Sequence, residues 1–146
     1  MSIVTLVSGG LDSTLMAVLT RETGLAQYPL FIDYGQRARD KELTACQHAM
    51  SSHQLPEPKV ARLPGFGALI HSGLTDSYMH LVEDAFTPGR NLLFLLLGAS
   101  YGYTLGAGAV AIGLLDERTG LFPDQTSRFL ENAEALLREC LGYPVT

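Results

Sequence analysis

The sequence predicts an α/β fold, a three-layer arrangement in which a parallel sheet is flanked by helices. Short β-rich runs alternate with helical segments along the chain, and turns that contain glycine or proline separate many of them. Strands that are joined through helices pair in parallel by right-handed crossovers, and the helices then cover both faces of the sheet. The chain has 146 residues, which fits a single domain over residues 1–146.

The individual elements follow from apolar periodicity and from turn residues. Strands are predicted over residues 3–7, 30–34, 59–63 and 109–113. Helices are predicted from residue 11 to a stop at Gly24, over about 36–53, and over 90–105. A last helix is predicted to begin near Asp124, its N-cap, and to stop at Gly142 and Pro144.

Three of these helices carry a predicted apolar face. The faces are Leu11, Leu15, Val18 and Leu19 on the first helix, Leu43, Cys46 and Met50 on the second, and Phe129, Ala133, Leu136, Leu137 and Cys140 on the last. Residues 64–89 form the least regular stretch. A loop of that length in a compact domain is usually functional or mobile, which predicts a lid; a passive surface insertion is the alternative.

Composition and charge exclude several classes of protein. Ten basic and 15 acidic residues give a net charge of −5, and the basic residues are scattered, which argues against nucleic-acid binding. The chain has only two cysteines, so a zinc ribbon or a disulfide scaffold within one chain is excluded. We expect Cys46 and Cys140 to be buried on helical faces. The first residues lack the basic region of a signal peptide, which favours a cytoplasmic location.

The uncharged run over residues 92–115 is long enough for a membrane span, and Gly98, Gly102 and Gly106 form a row of small residues within it. The breaker at residues 106–108 divides the run into a helix and a strand, so no membrane span is predicted. The helix is expected to pack closely, which favours a homodimer. Residues 98–102 match GxSxG, but they lie inside this helix and no histidine follows them, so a hydrolase is not predicted.

The strongest signal is Ser8-Gly9-Gly10-Leu11-Asp12-Ser13, between the first strand and the first helix. The glycines allow a tight turn that brings N–H groups against an anion, and the following helix adds its positive end. The segment lacks the lysine of a Walker loop and the spacing of GxGxxG. Asp12 would fit a phosphate site if it holds Mg²⁺ there. The alternative is a Gly-Gly turn with Asp12 as the helix N-cap.

This segment resembles the signature of the PP-loop ATP pyrophosphatases, which have the adenine-nucleotide alpha-hydrolase-like fold. Three further segments are similar, in order and spacing, to the 7-cyano-7-deazaguanine synthase family of the queuosine pathway. They are Asp33-Tyr34-Gly35-Gln36-Arg37 with Glu42, Thr87-Pro88-Gly89-Arg90-Asn91-Leu92-Leu93-Phe94-Leu95, and Phe122-Pro123-Asp124. The resemblance covers essentially the whole chain.

The resemblance implies an ATP- and Mg²⁺-dependent ligase that converts 7-carboxy-7-deazaguanine and ammonia to the nitrile through an adenylated intermediate. It implies a nucleotide site at Ser8, Gly9, Gly10, Leu11, Asp12, Ser13, Asp33, Tyr34 and Gly113. It implies substrate binding by Gln36, Arg37, Arg90, Asn91 and Asp124. Asp12, Arg37 and Arg90 are the implied catalytic residues, with a structural ion pair or helix-end role as the alternative for each arginine.

The chain departs from the family pattern at its C-terminal side. Family members normally continue into a segment with a four-cysteine zinc site, and this chain has no such cysteines, so we expect no zinc site from it. Two alternatives therefore stay open. One is a diverged paralogue that adenylates another small molecule or a protein, and the other is a non-catalytic nucleotide-binding subunit.

Overall fold

A computed structural model describes residues 1–116, 118 and 122–146. The strands are β1 (Ser2–Leu6), β2 (Ala26–Asp33), β3 (Lys59–Arg62) and β4 (Ala109–Ala111). The helices are α1 (Leu11–Glu22), α2 (Arg39–Ser52), α3 (Pro64–Leu69), α4 (Arg90–Leu105) and α5 (Ser127–Leu141), with a 3₁₀ turn at Pro123–Gln125 before α5.

The sheet has the strand order β3-β2-β1-β4, and every neighbouring pair is parallel. Leu6 of β1 lies beside Leu30 of β2, and Thr5 lies beside Ala111 of β4. The chain runs from β1 to β3 in one direction and then returns to the other side of β1. Such a reversal at the carboxyl ends of parallel strands is where α/β sheets bind ligands. The predicted fold class is confirmed.

Helices cover both faces of this sheet and give the fold its three layers. On one face, Leu6 of β1 belongs to a hydrophobic cluster with Leu95 of α4 and Leu137 of α5. On the other face, Phe31 of β2 belongs to a cluster with Cys46 of α2. Because the two clusters hold β1 and β2 from both sides, the loops at their carboxyl ends start from fixed positions.

Helix α4 lies against the sheet through its glycines. A β-carbon on Gly98 would lie 2.8 Å from Cγ1 of Val110 on β4, and one on Gly102 would lie 3.4 Å from Cγ2 of Val4 on β1. The close packing predicted for this helix is therefore packing within the chain. Among the described residues, no helix has the length and apolar character needed to cross a membrane.

Strand β2 begins at Ala26, before its predicted start at residue 30. The difference arises at Pro29, since a proline in the sequence argues against a strand. Pro29 lies inside β2, opposite Thr5 of β1. Proline is normally confined to sheet edges, since it cannot donate a ladder hydrogen bond. Here β3 pairs with β2 only from Leu30 onward, so the sheet still has an edge beside Pro29.

The prediction that Asp124 caps the last helix was wrong. Thr126 is the N-cap of α5, and its hydroxyl accepts a hydrogen bond from the Phe129 N–H at 3.1 Å. Asp124 lies in the preceding 3₁₀ turn, which begins at Pro123. Proline favours the first position of such a turn, so the chain makes a short turn before the longer helix starts.

Two of the predicted apolar faces were partly wrong. On α1, Leu11, Leu15 and Leu19 are 82%, 53% and 58% exposed, and the smaller residues Ser13, Ala17 and Thr20 are buried instead. On α5, Ala133 and Leu137 are buried, whereas Leu136 and Cys140 are exposed. Position 136 lies about 100° around the helix from position 137, which turns Leu136 away from the buried face, and Cys140 lies at the C-terminal end of the helix, one residue before Leu141. Cys46 is buried, as predicted.

The stretch over residues 64–89 is more ordered than a simple loop. It begins with α3, where the Gly67 N–H donates to the Tyr34 carbonyl at 2.7 Å. A β-carbon on Gly67 would lie 2.5 Å from that same carbonyl oxygen, so α3 packs directly on the turn that follows β2. The rest of the stretch consists of turns.

Candidate functional site

A cleft of about 370 Å³ opens at the carboxyl ends of β1, β2 and β4. Eight of the predicted site residues line it. They are Ser8, Asp12, Ser13, Tyr34, Gln36, Arg90, Asn91 and Gly113. Six others lie next to the cleft or farther away without lining it, namely Gly9, Gly10, Leu11, Asp33, Arg37 and Asp124.

The loop between β1 and α1 is held in one shape by Ser13. The buried Ser13 hydroxyl accepts a hydrogen bond from the Ser8 N–H at 3.1 Å and lies 3.1 Å from the Ser8 hydroxyl. Its oxygen is also 3.3 Å from the Gly10 carbonyl, to which it can donate. Ser8 itself is exposed, so its hydroxyl is the one that a ligand in the cleft can reach.

Gly9 and Gly10 give this loop its turn and its open helix end. Gly9 has a φ of +82°, a conformation that favours glycine. Gly10 is the N-cap of α1, and no side chain caps the helix. The first N–H groups of α1 therefore have no side-chain acceptor, and the positive end of the helix favours an anion.

Asp12 lies in the exposed first turn of α1 and lines the cleft. It is not the N-cap, so the alternative interpretation of this segment as a turn with an aspartate cap was wrong. No group of three or more His, Cys, Asp and Glu side chains that could hold a metal ion is found among the described residues. A magnesium ion on a phosphate needs only one or two carboxylates, so the Asp12 carboxylate fits that role.

Gly113 follows β4 in the chain and packs against the first turn of α1. A β-carbon at this position would lie 3.0 Å from the backbone carbonyl carbon of Asp12 and 3.1 Å from the backbone nitrogen of Ser13. Any larger residue would push against the first turn of α1. Gly113 therefore shapes the side of the cleft that the Ser8–Ser13 loop forms.

Asp33 ends β2 and organises the turn beyond it. Its Oδ1 accepts a hydrogen bond from the Gly35 N–H at 3.1 Å, and its Oδ2 lies 3.7 Å from Nη1 of Arg39. Its side chain is buried and does not line the cleft. The carboxylate thus supports the turn that carries Tyr34 and Gln36.

The Arg90 guanidinium lies over two neighbouring aromatic rings at the cleft. Its guanidinium carbon lies 5.7 Å from the centre of the Tyr34 ring and 5.9 Å from that of Phe94, and Nη1 donates to the Tyr34 hydroxyl at 3.3 Å. Burial raises the pKa of Tyr34 above its ordinary value, with the Arg90 charge acting in the opposite direction. The two rings therefore fix a positive charge in the wall of the cleft.

Gln36 and Glu42 form a bonded pair in the cleft wall. Gln36 Nε2 donates to the Ile32 carbonyl at 3.2 Å and to Oε2 of Glu42 at 3.0 Å, while Oε1 accepts from the Tyr34 N–H at 2.9 Å. Both amide N–H groups of Gln36 are thus donated within the protein. Glu42 lines the cleft beside it.

The Arg37 side chain hydrogen-bonds to the segment that follows α3. Its Nη1 donates to the carbonyls of Gly73 at 3.0 Å and of Asp76 and Met79 at 3.4 Å. Its own N–H donates to the Leu74 carbonyl at 2.8 Å, and Leu74 lines the cleft. Arg37 therefore holds one wall of the cleft in place without lining it.

Asn91 connects the start of α4 to the turn before α5. It is buried, and its Nδ2 donates to the backbone carbonyl of Asp124 at 3.1 Å. Gln125, the next residue, lines the cleft, whereas the Asp124 side chain does not. The segment Phe122-Pro123-Asp124 thus lies next to the cleft, but the residue that lines the cleft is Gln125.

Comparison with known proteins identifies the family of this chain. The family described as queuosine biosynthesis protein QueC matches the chain over residues 2–145. The chain belongs to this family. The QueC family was the one that the motif resemblance indicated, so that prediction is confirmed.

Several relatives in the QueC family carry the name 7-cyano-7-deazaguanine synthase. The one from Oceanobacillus iheyensis is 33% identical over 136 residues, which cover 88% of this chain and 61% of that protein. The one from Cellvibrio japonicus is 37% identical over 128 residues, covering 83% and 56%. The one from Azotobacter vinelandii is 34% identical over 140 residues, covering 91% and 62%. The chain thus spans about three fifths of the length of these relatives.

Sequence reasoning assigned no site role to several residues that line the cleft, and Glu42, Leu74 and Phe94 are among them. Glu42 belongs to the motif that begins at Asp33, and its acidic side chain, six positions after Gln36, was the feature of the sequence that could have indicated a site residue. Phe94 lies one helical turn after Arg90, a spacing that places both on one face of α4. Nothing in the sequence indicated that Leu74 lines the cleft, since its position there depends on the tertiary contact with Arg37.

Proposed function

We propose that this protein is an ATP-dependent carbon–nitrogen ligase that converts 7-carboxy-7-deazaguanine and ammonia to 7-cyano-7-deazaguanine. The observation that carries the proposal is the Ser8–Ser13 loop, which opens with an uncapped helix end into a cleft that also contains Arg90. Membership of the QueC family and the names of its relatives support the same reaction.

The reaction would proceed through two adenylations. The substrate carboxylate attacks the α-phosphate of ATP, pyrophosphate leaves, and ammonia displaces AMP to give the amide. A second ATP adenylates the amide oxygen with release of pyrophosphate, and loss of AMP and of both amide protons leaves the nitrile. Each adenylation develops charge on phosphate oxygens, which oriented N–H groups and cations stabilise.

The loop after β1 would bind the leaving pyrophosphate. The N–H groups at the start of α1 and the Ser8 hydroxyl would donate to phosphate oxygens. Asp12 would hold Mg²⁺, which neutralises phosphate charge when bound. Gly9, Gly10 and Gly113 would serve by allowing the backbone to approach closely.

The opposite wall would bind the substrate acid. Arg90 can bind a carboxylate or a phosphate with two N–H groups, which a lysine could not do. Tyr34 and Phe94 hold that guanidinium in place. We assign Arg37, Asn91 and Asp124 indirect roles, because their observed bonds hold the walls of the cleft.

We further propose that the protein is a cytoplasmic homodimer. Leu92 and Leu96 are 37% and 39% exposed, one turn apart on α4, and three leucines of α1 are also exposed. Apolar side chains that recur on one helix face are suited to bury against a second subunit. Sedimentation at micromolar concentration should give a dimer, and a monomer alone would remove this part of the proposal.

The test is a mass-spectrometric assay of the protein with ATP, Mg²⁺, ammonium and 7-carboxy-7-deazaguanine. We expect AMP together with the amide or the nitrile, and no AMP when the acid is omitted. AMP without a deazapurine product would indicate a different substrate. No AMP under any condition would contradict the ligase and favour a nucleotide-binding subunit.

A further inference from the structure

Glu42 is one of two carboxylates that line the cleft among the described residues, the other being Asp12. Asp12 is exposed in the first turn of α1, beside the phosphate loop. Glu42 is half-buried in the first turns of α2, and its side chain points to the end of β2, where Gln36 binds it. The two carboxylates therefore serve different parts of the cleft.

Gln36 fixes the position of the Glu42 carboxylate. Gln36 is only 6% exposed, and its amide is anchored to the main chain at Ile32 and Tyr34. A carboxylate held by a rigid partner loses little freedom when a ligand binds, which makes it an effective recognition group. Gln36 accordingly acts on a ligand through Glu42, and this differs from the direct substrate contact expected from the sequence.

The Glu42 backbone is as firmly placed as its side chain. Its carbonyl oxygen would lie 2.7 Å from a β-carbon on Gly9, so α2 packs directly against the phosphate loop. Its N–H donates to the Ala38 carbonyl at 2.9 Å. The carboxylate also contributes to the raised pKa of Tyr34, which is consistent with a position close to the Tyr34 and Arg90 wall.

The chemistry of the carboxylate selects its ligand. A carboxylate accepts hydrogen bonds and donates none, and it can take two N–H groups side by side. The ring of a deazaguanine presents such a pair, the ring N–H and the adjacent exocyclic amino group. We propose that Glu42 recognises this donor edge of the substrate and that Gln36 is its positioning residue. This inference rests on the proposed function.

The test compares two acids, 7-carboxy-7-deazaguanine and the analogue that lacks the exocyclic amino group. We expect the wild-type protein to prefer the first in kcat/KM by on the order of 10- to 100-fold, as for a lost hydrogen bond to a charged group. Glu42→Gln places an amide where the carboxylate was, and we expect that preference to fall to about 3-fold or less. Calorimetric binding of the two acids should show the same loss without turnover.

Asp40→Asn is the matched control, because Asp40 is an exposed carboxylate in the same first turn of α2 and does not line the cleft. It should keep the wild-type preference, and thermal unfolding should show that both variants are folded. A Glu42→Gln variant that keeps the full preference overturns the inference. A Glu42→Gln variant that changes only the KM for ATP or ammonium also overturns the inference. A wild-type protein that binds neither acid overturns the proposed function as well.

Discussion

A β-carbon on Gly9 would lie 2.7 Å from the backbone nitrogen of Cys46, and equally close to the carbonyl oxygen of Glu42. The Ser8–Ser13 loop therefore packs on the backbone of α2, with no space for a side chain at position 9. Position 9 therefore requires glycine for close packing as well as for its backbone conformation.

The Gly9→Ala variant should lose stability for both reasons. We expect a loss of about 2–4 kcal/mol in the free energy of unfolding, from the strained φ and from overpacking. Gly24→Ala is the matched control, because Gly24 has a φ of +74° but open space around it. Urea unfolding should show a loss of only about 1 kcal/mol for that control. Equal losses in the two variants would argue against the contact with α2.

The Asp12→Asn variant should fold normally and lose magnesium-dependent turnover. Asp12 is exposed and has no packing role, so its replacement should change the free energy of unfolding by about 0.5 kcal/mol or less. AMP formation measured across a range of magnesium concentrations should fall by roughly 100-fold or more. Asp40→Asn should keep wild-type rates. Wild-type rates in Asp12→Asn would show that the metal role is wrong.

The Arg37→Ala variant should loosen the stretch after α3. Three carbonyls of that stretch would lose the guanidinium that binds them, so amide hydrogen exchange over residues 71–80 should become faster. KM for the acid should rise more than kcat falls, because Leu74 would no longer be held at the cleft. Arg128→Ala removes an exposed arginine outside the cleft and should change neither readout. A loss of kcat with unchanged exchange would instead indicate direct contact with the reactants.

Cys46 gives the protein a dependence of stability on alkaline pH. Burial raises the pKa of its thiol to about 11, with the Gly9 N–H acting in the opposite direction. In the unfolded chain the thiol ionises near its ordinary value of 9.0, so between about pH 9 and 11 the folded state holds the proton that the unfolded state has lost. The free energy of unfolding therefore falls as pH rises through this window, by at most about 1.4 kcal/mol per pH unit from this group.

The Cys46→Val variant should show a shallower fall over the same window. Urea unfolding at pH 8, 9, 10 and 11 measures it, with Cys140→Ser as the control for an exposed thiol. Identical pH profiles in the wild type and Cys46→Val would show that the buried thiol does not ionise on unfolding in this range.

The sequence was sufficient for the fold and for the loop that begins the cleft, since these depend on local patterns. Periodicity located α4 with its observed ends, and the Ser-Gly-Gly segment lies between β1 and α1 as predicted. The face of α1 was wrong because small residues pack against the sheet there and leave the leucines exposed. The pattern of apolar residues carries no information about how closely a helix approaches.

The walls of the cleft could not be predicted, because they depend on contacts between distant segments. Arg37 binds carbonyls 36 to 42 residues away, and Asn91 reaches the backbone of Asp124, 33 residues along the chain. Residue type suggested a substrate contact for both. The structure shows that Nη1 of Arg37 and Nδ2 of Asn91 donate to carbonyls within the protein, which only the tertiary arrangement reveals.

The central position of β1 also determines when the site can form during synthesis. Its first neighbour, β2, begins at Ala26 and follows β1 after a single helix, whereas β4 begins only at Ala109 and leaves the ribosome much later than β2. Until then one edge of β1 has no partner, and parallel pairing across such a separation is slow. The nascent chain therefore carries the complete Ser8–Ser13 loop long before the cleft beside that loop can form. Ligand binding can stabilise the finished domain, but it cannot guide the first steps of its folding.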